Sequence, residues 1–271
     1  MLLRFLGTGT SAGVPIIACD CSVCTSTDPR DNRTRTSAVI EFVDATGQER
    51  VILIDASPDF RQQVLREKIK RIDAILITHN HVDHVWGLDE VRRFNEIQGE
   101  AIEVWADEHT HASLRRVYQH IFEKEKNIQK SFIADLTPQK LRAGETIELF
   151  GMRITPMTLM HGKQAILGFR FESPDLDPQR ALLPLAYCTD VVEVPDESRR
   201  HLEGVQTLVL DALRHRPHAT HFTVEQALAE AERIGASRTY FVHMTHDLGH
   251  AETCKNLPAG VTLAFDGLTV S

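Results

Sequence analysis

No apolar run in this chain approaches the length of a membrane-crossing helix. The largely apolar Met1–Phe5 stretch meets Gly7-Thr8-Gly9-Thr10-Ser11 at once, so it is too short for the apolar region of a signal peptide. A cytoplasmic protein is expected. Positive charge is also in short supply. Lys and Arg number 30 against 38 Asp and Glu, a formal net charge of −8. Such a chain is a poor general partner for nucleic acid or an anionic membrane. No low-complexity segment, linker or basic Gly/Pro-rich insertion interrupts it. Gly7-Thr8-Gly9 lacks both the Lys-Ser/Thr of a P-loop and the spacing of a dinucleotide fingerprint, and is read as a turn after a first strand. Cysteine is sparse too, at five. Three of the five fall in Cys19-Asp20-Cys21-Ser22-Val23-Cys24, and in a reducing compartment that spacing suggests metal binding rather than disulfides. Cys188 and Cys254 receive no role.

Histidine, by contrast, is abundant, with 14 in 271 residues, and imidazole is the commonest metal ligand. The length fits one large α/β domain spanning 1–271. Leu2–Leu6 reads as a first strand, and Ser37–Val43 and Arg50–Ile54 as a hairpin around Asp44-Ala45-Thr46-Gly47. Helices are expected over Asp59–Lys68, Leu88–Gln98, Glu108–Lys126 and Thr223–Ile234, the last with Thr223 as N-cap and Gly235 as C-cap. Further β-type runs are Asp73–Thr78, Ile102–Ala106, Gly144–Leu149, Met152–Met160, Gly168–Glu172, Leu185–Cys188, Thr207–Asp211, Thr239–His243 and Val261–Phe265. Strands on both sides of helices point to a layered αββα sandwich.

Ile75-Leu76-Ile77-Thr78 runs directly into His79-Asn80-His81-Val82-Asp83-His84. Strand ends feeding loops are where open α/β sheets place ligands. His79 and His81 share one face of an extended backbone, and Asp83 and His84 come after the chain turns, where they can meet a second ion. A surface His-rich turn is the plainer alternative.

A His-x-His-x-Asp-His run after an apolar strand resembles the signature of the metallo-β-lactamase superfamily. The resemblance covers nearly the whole chain, including the early strand with its Gly-rich turn and Leu53-Ile54-Asp55 upstream. It implies a four-layer αββα fold and two catalytic metal ions. His161, Asp190 and His243 are implied as the later ligands. Taken alone, His161 and His243 read equally as loop histidines, and Asp190 as a cap or turn residue. The implied arrangement is His79, His81 and His161 on one ion, Asp83, His84 and His243 on the other, and Asp190 bridging. Imidazole and carboxylate suit Zn²⁺, Mn²⁺ or Fe²⁺, and zinc or manganese is the expectation. Oxygen-reducing diiron relatives usually carry Glu where this chain has His81, which favours hydrolysis.

The Cys loop narrows the resemblance to the branch of PhnP-type phosphoribosyl cyclic phosphodiesterases. Gly13-Val14-Pro15 precedes the cysteines, and His243-Met244-Thr245-His246 stands near the end. Cys19, Cys21, Cys24 and His246 are therefore implied to hold one structural zinc. The same resemblance assigns His221, just before the Thr223 helix, as the acid that protonates the leaving group. His215 and His218 are read as loop residues shaping the mouth. Arg33, Arg35 and Arg92 are phosphate-contact candidates by position only, against the simpler reading of solvated surface arginines.

The expected activity is hydrolysis of a small phosphodiester, cyclic or otherwise, by a hydroxide held between the two ions, with Asp83 and Asp190 in the catalytic centre. RNA-processing endonucleases, thioester or lactam hydrolases and a zinc-binding cofactor-biosynthesis accessory protein are the alternatives. No membrane partner is expected, nucleic acid is a substrate only under the endonuclease reading, and a homodimer is left open.

Overall fold

The structure is a computed structural model that describes residues 1–128, 132–173 and 182–271. Its first half contributes β1 (Leu2–Gly7), β2 (Ser37–Val43), β3 (Glu49–Ile54), β4 (Ala74–Leu76), β5 (Ile102–Ala106) and β6 (Leu136–Lys140). The second half contributes β7 (Ile147–Leu149), β8 (Met152–His161), β9 (Gln164–Glu172), β10 (Leu185–Cys188), β11 (Thr207–Asp211), β12 (Arg238–Val242), β13 (Val261–Leu263) and a closing β14 (Thr269–Val270). They form two mixed sheets, ordered β14-β1-β2-β3-β4-β5-β6 and β13-β12-β11-β10-β9-β8-β7. Each sheet begins as antiparallel neighbours and continues in parallel, from β3 to β6 in the first and from β10 to β13 in the second.

The apolar pattern dictates the layering. Successive side chains of a strand point to opposite faces. Phe5, Ile52 and Ile54 thus meet Phe169, Phe171 and Tyr187 between the sheets. Leu6, Val51 and Leu53 face the other way, onto Phe60 of α1 (Phe60–Glu67), Phe94 of the helix Arg92–Gln98 and Leu114 of the helix Glu108–Val117. On the second sheet Ala186, Leu208 and Leu210 pack under Val224, Ala227 and Ala231 of the helix Val224–Ile234. Burying a side chain of this size stabilises by roughly 1.5–3 kcal/mol, so three such layers dominate folding. This is the four-layer αββα sandwich expected from the sequence.

Several elements depart from expectation. The helix expected over 108–126 ends at Val117 and resumes as a single turn, Gln119–Phe122. Tyr118 breaks it, with φ −109° and ψ 44°, and its buried hydroxyl donates to Val85 O at 3.0 Å. The 88–98 stretch is a 3₁₀ turn, Leu88–Val91, followed by the helix Arg92–Gln98. β6, β14 and the helices Asp196–Arg199 and His250–Asn256 had not been anticipated. The Thr223 and Gly235 caps are as expected, Thr223 forming a capping box with Gln226. No helix among the described residues is long and apolar enough to cross a membrane.

Candidate metal centre

Seven strands deliver their C-terminal ends to one edge of the sandwich. β3 ends at Ile54 and presents Asp55, and β4 leads through Ile77-Thr78 to His79. A short turn of helix, Val82–Val85, follows, with His81 as N-cap, and it carries Asp83 and His84. β8 ends on His161, β10 is followed by Asp190, β11 ends on Asp211 and β12 is followed by His243. The chain after β1 closes the site, with Gly9 bridged to both Arg35 and Met244. Leu167 N donates to Thr78 O, joining the two sheets directly beneath the cluster.

Ligand atoms of His79, His81 and His161 lie within 4.8 Å of one another, and so do those of Asp83, His84, Asp190 and His243. Asp190 stands between the groups. Its Oδ1 is 3.2 Å from His84 Nε2, and its Oδ2 is 3.1 Å from His243 Nε2 and 4.0 Å from His79 Nε2. His81 is exposed while the other six are buried, so it marks the mouth. Three residues of the site hold left-handed backbone although none is glycine: Asp55 (φ 59°), Asp190 (φ 55°) and His243 (φ 60°). Such conformations cost of order 1–3 kcal/mol each, and here they aim side chains inward from strand ends.

Hydrogen bonds behind the imidazoles set their tautomers. His84 Nδ1 donates to Asp55 Oδ2 at 2.7 Å. Thr78 donates to the same oxygen through Oγ1, so that hydroxyl accepts from His79 Nδ1 at 2.9 Å. His161 Nδ1 donates to Thr220 O at 3.0 Å. In each ring the nitrogen remote from the cluster is held by a hydrogen bond and Nε2 faces the cluster, the orientation a metal ligand requires once a cation displaces any proton there. The Nε2 atoms of His79, His84 and His243 are buried without a hydrogen bond. Burial, with the neighbouring imidazoles, holds His79 well below the usual imidazole range. His84 is held well above it, against burial, by Asp190, Asp83 and Asp55. Packed carboxylates and unbonded imidazole nitrogens are a donor set that fits divalent cations.

His221 lies against this cluster, its ring 4.6 Å from His243 and 4.7 Å from His161. Its Nδ1 is 2.6 Å from Asp211 Oδ2, which also accepts from Val191 N. Burial raises the Asp211 carboxyl, and burial with the adjacent His243 lowers His221. No role was expected for Asp211, and Asp55 figured only within the Leu53-Ile54-Asp55 stretch that carries the resemblance. The available signal was that each closes a β-type run, as the recognised site residues do.

A second cluster brings Cys19, Cys21, Cys24 and His246 together. His246 Nδ1 is 3.2, 3.4 and 3.5 Å from the three sulfurs. Zinc bonds of about 2.3 Å to sulfur and 2.0 Å to nitrogen, at tetrahedral angles, require S···N edges of roughly 3.5 Å, so the four residues fit that ion. Of the three arginines, Arg33 departs from both readings. Arg33 is neither solvated nor placed for phosphate. It is buried, donating to Thr245 O at 2.8 Å, Leu248 O at 2.5 Å and Asp31 at 3.1 Å, and so locks the loop that carries His246. Arg35 pairs with Asp59 at 3.0 Å and Arg92 with Asp89 at 2.8 Å. His215 pairs with Glu225, and His218 stands 5.1 Å from His221 at the mouth.

Residues 50–244 match the family model described as Beta-lactamase superfamily domain. A Porphyromonas gingivalis protein named octanoyltransferase is 33% identical over 97% of this chain, but the chain spans about 50% of that protein's length. Coenzyme PQQ synthesis protein B of a Methylobacterium is 26% identical over 98% of both chains. Among solved structures, a diphosphatase of the PhnP family superposes with TM-score 0.86 at 43% identity, covering 100% of this chain and 97% of that one. The human short-form tRNase Z superposes with TM-score 0.70 at 17% identity, covering 100% and 99%, which shows a shared fold.

Proposed function

Because this chain belongs to the metallo-β-lactamase superfamily of metal-dependent hydrolases, we propose that it is a phosphodiesterase acting on a small phosphodiester, cyclic or otherwise. The observation that carries this reading is the placement of Asp190 between two three-residue ligand groups, with His221 and Asp211 beside them. His79, His81 and His161 would hold one ion, Asp83, His84 and His243 the other, and Asp190 both. Bound there, two divalent ions lower the pKa of water and polarise a phosphoryl oxygen.

The chain's own residues supply the rest. Asp55 holds His84 directly and His79 through Thr78, so the ligand rings are oriented before any ion binds. His221 offers Nε2 to the leaving oxygen while Asp211 fixes its opposite nitrogen, the arrangement of an oriented general acid. With His243 neutral as a ligand, its repulsion of a protonated His221 disappears. Cys19, Cys21, Cys24 and His246 would hold a structural zinc, a site apart from the two His/Asp ligand groups.

The similarity to a PhnP-family diphosphatase supports phosphoryl substrates. An RNA-processing role draws on the tRNase Z likeness, which is one of fold. Against it stand the net charge of −8 and the lack of a basic insertion in the sequence. The test is a screen of metal-reconstituted protein on bis(p-nitrophenyl) phosphate, cyclic ribose phosphates, cyclic nucleotides and RNA ends. An octanoyl thioester is included because of the relative named for octanoyl transfer. Hydrolysis of small phosphodiesters, abolished in Asp190→Ala with the fold intact, is the expected result. Turnover of the thioester alone, or full activity in Asp190→Ala, would overturn the reading.

A further inference from the structure

A cleft of about 250 Å³ opens beside His221, and neither His79 nor His81 is part of its lining. Its walls come from separate loops: Ser11 after β1, Arg214 after β11, His218, and the His246–Asp247 turn. Arg214 is the distinctive member. Its backbone is clamped, because Val224 N donates to Arg214 O and Leu213 is bonded to both Phe222 and Thr245. Its Nε donates to Arg216 O at 3.3 Å. Among the described residues its guanidinium has no carboxylate partner, although it is half-buried. Asp247, the acidic residue of the cleft, is already paired with Arg216 at 2.9 Å. His218 Nδ1 accepts from Thr220 Oγ1 at 3.1 Å, which leaves the other ring nitrogen, carrying its proton, as a free donor. The cleft thus offers a guanidinium without a carboxylate partner on a clamped backbone, an imidazole N–H and the Ser11 hydroxyl next to the group that would protonate the leaving oxygen.

We propose that this cleft is a leaving-group subsite, in which Arg214, aided by His218, binds an anionic substituent, a carboxylate or phosphate, carried by the alcohol that departs. The inference rests on the phosphodiesterase reading and assigns Arg214 as its specificity-determining residue. A planar guanidinium matches the paired oxygens of either anion, and charge-assisted bonds of this kind are about twice as strong as neutral ones. Placement beside His221 makes the anion a handle on the departing fragment, not on the fragment retained at the metals.

The test uses metal-loaded protein and three chromogenic esters: methyl 4-nitrophenyl phosphate, and the same ester with a carboxylate or a phosphate meta to the leaving oxygen. The wild type should favour one or both anionic esters by about tenfold in kcat/KM, mostly through KM, as one charge-assisted contact allows. Arg214→Ala should bring the three within about twofold of one another, and Arg214→Lys should keep part of the preference. Which ester is favoured distinguishes carboxylate from phosphate. No preference in the wild type, or an undiminished preference in Arg214→Ala, overturns the proposal. Calorimetric binding of the released anionic phenols judges the cleft without turnover. Binding weakened about tenfold by Arg214→Ala supports it, whereas equal or absent binding refutes it. Failure to hydrolyse any of the esters defeats the phosphodiesterase reading, and the binding arm still decides the subsite.

Discussion

Replacing Asp55 by Asn changes one atom type at the point where both ligand groups are anchored. Asp55 is fully buried and accepts from Thr78 N, Thr78 Oγ1 and His84 Nδ1, at 2.8, 2.8 and 2.7 Å. Its backbone has φ 59°, a conformation that Asn tolerates better than other residues do, so the turn is kept. Oδ1 can still accept from the Thr78 N–H. The new amide N–H, however, meets the proton already on His84 Nδ1, so either that bond is lost or the ring takes the opposite tautomer and points a proton at the cluster. A hydrogen bond to a charged group contributes about 1.5–3 kcal/mol, and 2 kcal/mol corresponds to roughly 30-fold in an equilibrium constant. This agrees with the 10–100-fold loss in metal affinity typical when such supporting partners are removed. Competition with a chelator of known affinity measures it. The looser pair of ions should dissociate about 30-fold more readily in Asp55→Asn, with the Cys-loop ion unchanged. Unaltered affinity for all ions would refute the idea that Asp55 governs the ligand tautomers.

Cys21→Ser should lower the melting temperature while leaving per-molecule activity less affected, because an ion bound there would tie the half-exposed Cys loop to His246; thermal unfolding with and without chelator checks this, and an unchanged melting temperature counts against a structural zinc. Zinc uptake at that loop should also release protons. The Cys24 backbone N–H holds the Cys21 thiol down to about 6, whereas burial pushes Cys24 up to about 11. At pH 8 the metal-free loop therefore has Cys21 as thiolate and Cys24 as thiol. Binding must expel the Cys24 proton, and affinity must rise with pH, falling more steeply below about pH 6 where Cys21 is also protonated. Calorimetry in two buffers of different ionisation enthalpy should show about one proton released per zinc from this source, and none would contradict the assignment.

What could be read from the chain beforehand follows a physical division. Dense local patterns were legible: the His79–His84 run after an apolar strand, the Cys19–Cys24 loop, the Thr223 and Gly235 caps. Asp190, His161 and His243 are single residues far apart in the chain, and only a family resemblance links them before the strands are paired. Arg33 resembles a surface residue in any local window, and its burial arises from carbonyls more than 200 positions away, at Thr245 and Leu248. β6 escaped notice because Leu-Thr-Pro-Gln-Lys is polar and holds Pro138, which a strand tolerates at the edge of a sheet, where β6 lies. The break at Tyr118 is likewise tertiary, tied to a hydroxyl bond to Val85 across the layer.

The central claim is that seven side chains between positions 79 and 243 grip two cations, separately from the Cys-loop ion. Metal analysis of the purified, metal-saturated protein by mass spectrometry tests it most directly. The account predicts close to three ions per chain, two of them removed first by a chelator and lost selectively in Asp190→Ala. A single tight ion per chain, unchanged in Asp190→Ala, would contradict it.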